Sequence, residues 1–132
     1  MITIRRRALL WGPVVAYMVA IYYVSAQSAP PIVGPAVSDK VAHAIAYFGF
    51  GVLAFRAVAG GLVAQVTAPR AAATMILSIV YAITDEVHQL FVPGRNGDVV
   101  DVLADAAGAA LALMACRAWN IIAVSKPRVP RA

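Results

Sequence analysis

Two stretches of this sequence leave no room for a water-facing side of a helix. Residues 71–84, AAATMILSIVYAIT, and residues 106–116, AAGAALALMAC, contain no charged residue. A surface helix of a water-soluble bundle needs a polar face along its length. Hydrophobic residues make up 62% of the 132-residue chain and charged residues 13%, against about 45–50% and about 25% in soluble domains. We therefore expect residues 1–132 to form a single membrane domain.

Four segments of the chain have the length of a membrane-spanning helix. Only the first is an uninterrupted apolar run of about 20 residues, the number that a span requires. The other three each carry charge near one end, and turns rich in Pro, Gly or Ser separate the segments. The sequence predicts an all-α bundle of four transmembrane helices at about residues 8–26, 41–64, 71–92 and 98–119.

The basic residues favour one orientation of this bundle. Nine lie on the side of the two termini, and only Lys40 and Arg95 lie on the other side. Because cytoplasmic segments carry an excess of Lys and Arg, both termini are predicted to be cytoplasmic. The first segment also resembles a cleavable signal peptide ending at Ala26, but cleavage would place the basic tail outside, so a retained helix is favoured.

The placement of the basic residues also bears on partners. They stand at segment ends and form no patch interleaved with aromatic residues, which argues against nucleic-acid binding. Membrane lipids are therefore the expected surroundings and partners. The sequence does not set an oligomeric state.

All six carboxylates fall on the side with few basic residues: Asp39, Asp85, Glu86, Asp98, Asp101 and Asp105. An ionised acid in a bilayer costs about 2.5–3.5 kcal/mol on insertion scales, so these groups are expected to point inward, towards Lys40, His43, Arg95 or one another. Asp85 and Asp105 stand ten residues before and after Arg95. The turn between them predicts equal depth in the membrane, with a proton or cation shared between the two acids.

Because these acidic and basic side chains are expected to point inward, the sequence predicts one polar pocket that opens to the outer side. Asp85, Glu86 and His43 are candidate catalytic residues, because carboxylates and imidazoles with shifted pKa values act as general acids and bases. The candidate binding residues are Lys40, Gln89, Arg95, Asp101 and Asp105. An alternative is a structural network that only holds the helices together, since hydrogen bonds between helices also serve packing. Gly108 and the alanines around it are expected to allow close helix packing.

No metal site is predicted from sequence motifs. The segment DEVHQ lacks the H-E-x-x-H pattern, and no two histidines lie close together. The acids supply enough ligands for a divalent cation, and their oxygen atoms would favour Mg²⁺ or Ca²⁺ over Zn²⁺. The cofactor requirement is therefore left open.

Several motifs resemble the VanZ-like family of small bacterial membrane proteins. They are YYVSAQS, SDKVAHAIAYFGFG, TDEVHQLFVPGR and DVLADAAGA, which together run through most of residues 22–110. The resemblance implies a multi-pass plasma-membrane protein, and it identifies as motif residues Gln27, Asp39, Lys40, His43, Asp85, Glu86, Gln89, Arg95 and Asp101. The founding member is associated with resistance to the glycopeptide teicoplanin. Two departures make this chain more acidic: Asp105 replaces the usual Asn, and Asp98 lies where a small hydroxyl residue is common.

Two hypotheses follow for the pocket. In the first, it binds or modifies a polar headgroup at the outer leaflet, such as that of a lipid-linked wall precursor, with Lys40 and Arg95 holding phosphate or carboxylate. In the second, it is non-catalytic and binds a cationic or glycopeptide ligand, or passes protons or cations. The sequence alone does not decide between catalysis and binding.

Overall fold

A computed structural model describes residues 3–28 and 38–125 of the chain, and these residues form four α-helices and no strand. The helices are α1 (Ile4–Ser25), α2 (Asp39–Ala59), α3 (Ala68–Gln89) and α4 (Val99–Ser125). The all-helical, four-helix fold is as predicted. Three helices are long and apolar enough to cross a membrane: α1, α2 and residues Val99–Ala123 of α4. Helix α3 falls outside that group because Asp85, Glu86 and several other polar side chains lie within it.

The helix bounds differ from the predicted ones for local reasons. Helix α2 begins at Asp39, because the Ser38 side chain accepts a hydrogen bond from the backbone N–H of Val41 and caps the first turn. The same helix ends at Ala59, five residues before the expected end, because Gly60 takes the left-handed conformation with φ 77°. Helix α4 continues to Ser125, beyond the expected end at residue 119.

Helices α2 and α4 pack through small residues. A Cβ atom on Gly108 would overlap the backbone carbonyl of Ala44, and one on Gly51 would lie 2.9 Å from the Cβ of Ala112. The two backbones therefore approach more closely than larger side chains would permit. The expectation that Gly108 serves close packing is confirmed.

The core beside this contact is aromatic and aliphatic. Tyr47 and Phe50 of α2 are buried, and the ring of Phe50 stacks on that of Tyr81 from α3 at a centroid distance of 5.4 Å. Val14 of α1 is also buried in this cluster. Many large apolar side chains on the outer faces are exposed instead, for example Leu103 at 63%, as expected for a surface that faces lipid.

The helices alternate in direction, so two different ends of the bundle result. One end, here called the acidic end, contains the last turns of α1 and α3, the first turns of α2 and α4, and all six carboxylates. At the opposite end Arg56 donates to the carbonyl of Leu9, and Asn120 donates to the carbonyl of Ala64. The acids and most of the basic residues are thus separated by the length of the helices.

Candidate functional site

The turn between α3 and α4 places the two acidic segments next to each other. Gly94 has φ 80°, a left-handed conformation that glycine adopts at low cost. Beyond the turn, the backbone N–H of Asp98 donates to Oε2 of Glu86 at 2.7 Å. This bond ties the start of α4 to the last turn of α3.

Lys40 joins α2 to α4 at the rim of the acidic end. Its Nζ lies 2.6 Å from Oδ2 of Asp98 and also donates to Asp101. The hydrogen bond from Lys40 lowers the pKa of the Asp98 carboxyl, which stands just before α4. Asp98 also accepts from the backbone N–H of Val100 at 2.8 Å, and so it caps the helix.

His43 lies one turn deeper, between two acids of α4. Its Nδ1 is 3.0 Å from Oδ1 of Asp105, and its Nε2 is 3.8 Å from Oδ2 of Asp101. Asp105 has no exposed surface, and Asp101 is 3% exposed. The helical stripe of Asp101 and Asp105 therefore does point inward, as the cost of burying acids in lipid required.

Gln89 organises the polar groups on α3. Its Nε2 donates to Asp85 Oδ2 at 3.3 Å and to Glu86 Oε1 at 3.0 Å. Its Oε1 accepts from Nε and Nη2 of Arg95 at 3.1 and 2.5 Å. Among the described residues Arg95 makes no ion pair, so its charge is not matched by a carboxylate of the chain.

Three buried polar atoms of the cluster have no hydrogen-bond partner within the described ranges. They are Oδ1 of Asp85, Oδ2 of Asp105 and the hydroxyl of Tyr47. No hydrogen bond joins Asp85 to Asp105 in these ranges, because Asp105 binds His43 instead. Since buried polar groups are nearly always paired in folded proteins, three unpaired atoms at one place indicate room for a ligand.

Tyr47 is a site residue that the sequence analysis did not select. It stands four residues after His43, on the same face of α2, and that spacing was the available signal. By contrast, two polar residues within the motifs do not join the cluster. Gln27, two residues past the end of α1, donates to the carbonyl of Tyr23 in that helix, and the ring of His88 stacks on that of Tyr22 at 4.2 Å.

A cavity of about 460 Å³ opens beside these groups, between α1, α2 and α3. One part of its wall is apolar and includes Ala20, Ile21, Val24, Ile45 and Ala46. The other part is polar and includes Asp39, His43, Tyr47, Asp85, Gln89 and Arg95. The cavity is not lined by Lys40, Glu86, Asp101 or Asp105.

Within residues 3–28 and 38–125, two groups of side chains are close enough to hold a metal ion. One consists of Asp39, His43 and Asp101, and the other of His43, Glu86 and Asp105. In each group three ligand atoms lie within 4.8 Å of one another. The structure therefore brings His43 and the acids together as potential ligands, although motif spacing predicted no metal site.

Comparison with protein families gives a match. The family model described as VanZ/LLP1 matches residues 8–121, which include α1 from Ala8, all of α2 and α3, α4 up to Ile121 and every residue of the polar cluster. The match confirms the family resemblance seen in the motifs. Searches of curated proteins and of solved structures find no match.

Proposed function

The chain belongs to the VanZ/LLP1 family, and on this premise we propose that its cavity binds the anionic headgroup of a membrane lipid together with the first part of the attached hydrocarbon chain. The observation that carries the proposal is the division of one cavity wall into an apolar part and a polar part. Its volume of about 460 Å³ falls within the usual range for small-molecule sites.

The dimensions of the cavity suit an amphiphile. Its lining residues extend from Tyr17 to Ser25 on α1 and from Asp39 to Tyr47 on α2, a depth of about 12 Å at 1.5 Å per helical residue. The apolar side chains of α1 and α2 would surround the first methylene groups of the chain. The rest of that chain would extend into the bilayer past Ile45, whose side chain is 64% exposed.

Arg95 is the group best placed to hold the headgroup. It lines the cavity, and two of its bonds go to the uncharged amide oxygen of Gln89. A guanidinium carries five N–H donors in a fork that fits phosphate or carboxylate oxygens. Lys40 would be a second cationic contact, after exchange of one of its carboxylate partners.

The proposed location is the outer leaflet of a bacterial plasma membrane. The acidic end carries only Lys40 and Arg95, whereas the remaining described basic residues lie towards the other end, and the positive-inside rule favours the basic end in the cytoplasm. Capture of a lipid-linked wall precursor there would connect the site to cell-envelope function. The teicoplanin-type resistance implied by the motif resemblance would be one consequence of such capture.

Chemical modification of the headgroup would use acids in the cavity wall and next to it. Asp85 or Glu86 would serve as general base or acid together with His43. Asp85 and His43 line the cavity directly, whereas Glu86 reaches it through Gln89. Mass spectrometry of lipids incubated with the protein tests this step, because modification changes the headgroup mass and binding alone does not.

Lipid binding is tested with a matched pair of tryptophan variants. Ile45→Trp fills the cavity mouth, and Leu103→Trp makes the same change on α4, outside the cavity, at nearly equal exposure (64% and 63%). We expect Ile45→Trp to lose about nine-tenths of the co-purified anionic lipid, a cost near 1.4 kcal/mol, and Leu103→Trp to retain it. Equal lipid content in both variants would contradict the proposal. The mass of the hydrocarbon chain distinguishes a phospholipid from a lipid-linked wall precursor.

A second candidate function is proton or cation conduction, which the unpaired buried acids favour. Against a continuous path, the buried residues Phe50 and Ala54 of α2 beneath Tyr47 are apolar. The hydroxyls of the buried Thr74 and Ser78 on α3 donate to backbone carbonyls of their own helix. Reconstituted vesicles with a pH-sensitive dye separate the two functions. A flux that Asp85→Asn abolishes would support conduction, whereas no flux above that of empty vesicles would exclude it.

A further inference from the structure

The acidic end has fewer cationic groups than acids. All six carboxylates of the chain lie there, and among the described Lys and Arg residues only Lys40 and Arg95 lie there with them. Lys40 pairs with Asp98 and Asp101, and Arg95 donates to Gln89. Asp85, Glu86 and Asp105 are therefore buried without a lysine or arginine partner among the described residues. Since an unpaired buried charge costs several kcal/mol, each of these acids must either take up a proton or receive positive charge from another source.

We propose that His43, Glu86 and Asp105 bind one divalent transition-metal ion of the Mn²⁺ or Zn²⁺ class. Their ligand atoms lie within 4.8 Å of one another. An ion with bonds of about 2.1 Å holds its ligand atoms about 3.0 to 4.2 Å apart, so only small side-chain movements are required. Nδ1 of His43 and Oδ1 of Asp105, at 3.0 Å, already have the spacing of adjacent ligands.

An independent observation points to a ligand at this place. Asp105 has no exposed surface, and while its Oδ1 faces His43, its Oδ2 has no partner among the described residues. Oδ1 of Asp85 and the hydroxyl of Tyr47 are unpaired in the same way, and both residues line the cavity. A bound ion would satisfy the free oxygen of Asp105, and the cavity would provide its route of entry.

The second group of potential ligands, Asp39, His43 and Asp101, is a weaker choice. Asp101 is already neutralised by Lys40, whose ammonium group would repel a metal ion. Asp39 is exposed and makes no hydrogen bond or ion pair through its side chain within the described ranges. Asp39 thereby distinguishes the two sites experimentally, since only the weaker one includes it.

The imidazole sets the class of the ion. Mg²⁺ and Ca²⁺ take oxygen ligands almost exclusively, whereas nitrogen ligands suit first-row transition metals. The sequence analysis favoured Mg²⁺ or Ca²⁺ because it counted acids. The structure places His43 against Asp105, and the mixed set of one nitrogen and two carboxylates favours Mn²⁺ or Zn²⁺ instead.

The test is metal binding by the full chain in detergent, purified on a tag without histidines and treated with a chelator that is then removed. Binding of Mn²⁺ is followed by loss of the electron paramagnetic resonance signal of the free ion, and Zn²⁺ is added as a competitor. We expect one ion per chain, with affinity lowered at least about tenfold in Asp105→Asn and in Glu86→Gln. The Asp39→Asn variant should bind Mn²⁺ like the wild type.

Circular dichroism and gel filtration establish that each variant is folded before its affinity is compared. Asp105→Asn and Glu86→Gln are nearly isosteric substitutions. One of these two variants in folded form is sufficient for the comparison of affinity with the wild type. The proposal is overturned if the wild type binds no more Mn²⁺ or Zn²⁺ than a folded Asp105→Asn or Glu86→Gln variant. It is also overturned if Asp39→Asn abolishes binding, which would identify the other group as the site. No lipid is needed in this measurement, so its outcome is separate from that of the lipid proposal.

Discussion

The two halves of the contact between α2 and α4 are built differently. In the deeper half, small residues such as Gly51 and Gly108 bring the two backbones together without polar groups. In the half at the acidic end, Lys40 and His43 of α2 meet two acids of α4 and Asp98 just before it, and oxygen atoms remain unpaired behind them. The close packing of the deeper half stabilises the bundle. The acidic half retains polar atoms that apolar side chains would replace at little cost, as expected of a ligand site.

The largest expected effect is at the deeper half. Gly108→Ala places a methyl group against the carbonyl of Ala44, and overpacking of this kind costs about 1–3 kcal/mol. Gly12→Ala is the matched control, because a Cβ at Gly12 of α1 meets no atom within 4 Å. Thermal unfolding in detergent should show a clear loss for Gly108→Ala and no loss for Gly12→Ala. Equal unfolding temperatures would mean that the close approach of α2 and α4 is not a source of stability.

A smaller effect separates two tyrosines of the same core, of which Tyr47 is buried and Tyr81 is partly buried. The hydroxyl of Tyr81 donates to the carbonyl of Met18 at 2.6 Å, whereas that of Tyr47 has no partner among the described residues. Tyr81→Phe should therefore cost about 1 kcal/mol. Tyr47→Phe should leave the free energy of unfolding unchanged or raise it. If Tyr47→Phe proves as destabilising as Tyr81→Phe, its hydroxyl has a structural partner and the acidic half is better satisfied than we describe.

The smallest effect concerns the rim of the acidic end and depends on pH. Lys40 lowers the pKa of Asp98 in the folded protein, so this contribution to stability is present above the ordinary pKa of an aspartate and is lost as pH falls through the lower folded value. Asp98→Asn keeps a cap for α4 and removes the charge. The difference in unfolding temperature between wild type and Asp98→Asn should be small at neutral pH and should close below about pH 4. If the difference in unfolding temperature widens on acidification, the pKa of Asp98 is not lowered by Lys40 in the folded protein.

Much of the difference between the acidic half and the deeper half follows from sequence patterns. The absence of charge in residues 71–84 and 106–116 required lipid-facing helices, and the one-sided distribution of the acids placed them at a single end. The expected inward stripe of Asp101 and Asp105 follows from helical spacing and the cost of exposing charge to lipid. Such arguments depend on properties within one helix, which is why they succeed.

Contacts between helices were harder to predict from the sequence. The pairing of Asp105 with His43, and not with Asp85, depends on the rotation of α4 against α2, which the close fit at Gly108 sets. Equal depth in the membrane stays a prediction for Asp85 and Asp105, and depth alone does not determine which side chains meet. The cavity beside α1 and the unpaired hydroxyl of Tyr47 are likewise properties of the assembled bundle.

The most direct test of a ligand site at the acidic half is the stability of Asp85→Asn, compared with wild type in the same detergent after removal of metal ions. Oδ1 of Asp85 is buried without a partner, and its Oδ2 accepts from Gln89. If the acid is retained for a ligand, removing its charge should leave the unfolding temperature equal or raise it. If the acid instead holds the helices together, Asp85→Asn should unfold at a temperature as low as that of Gly108→Ala, and that result would contradict the account.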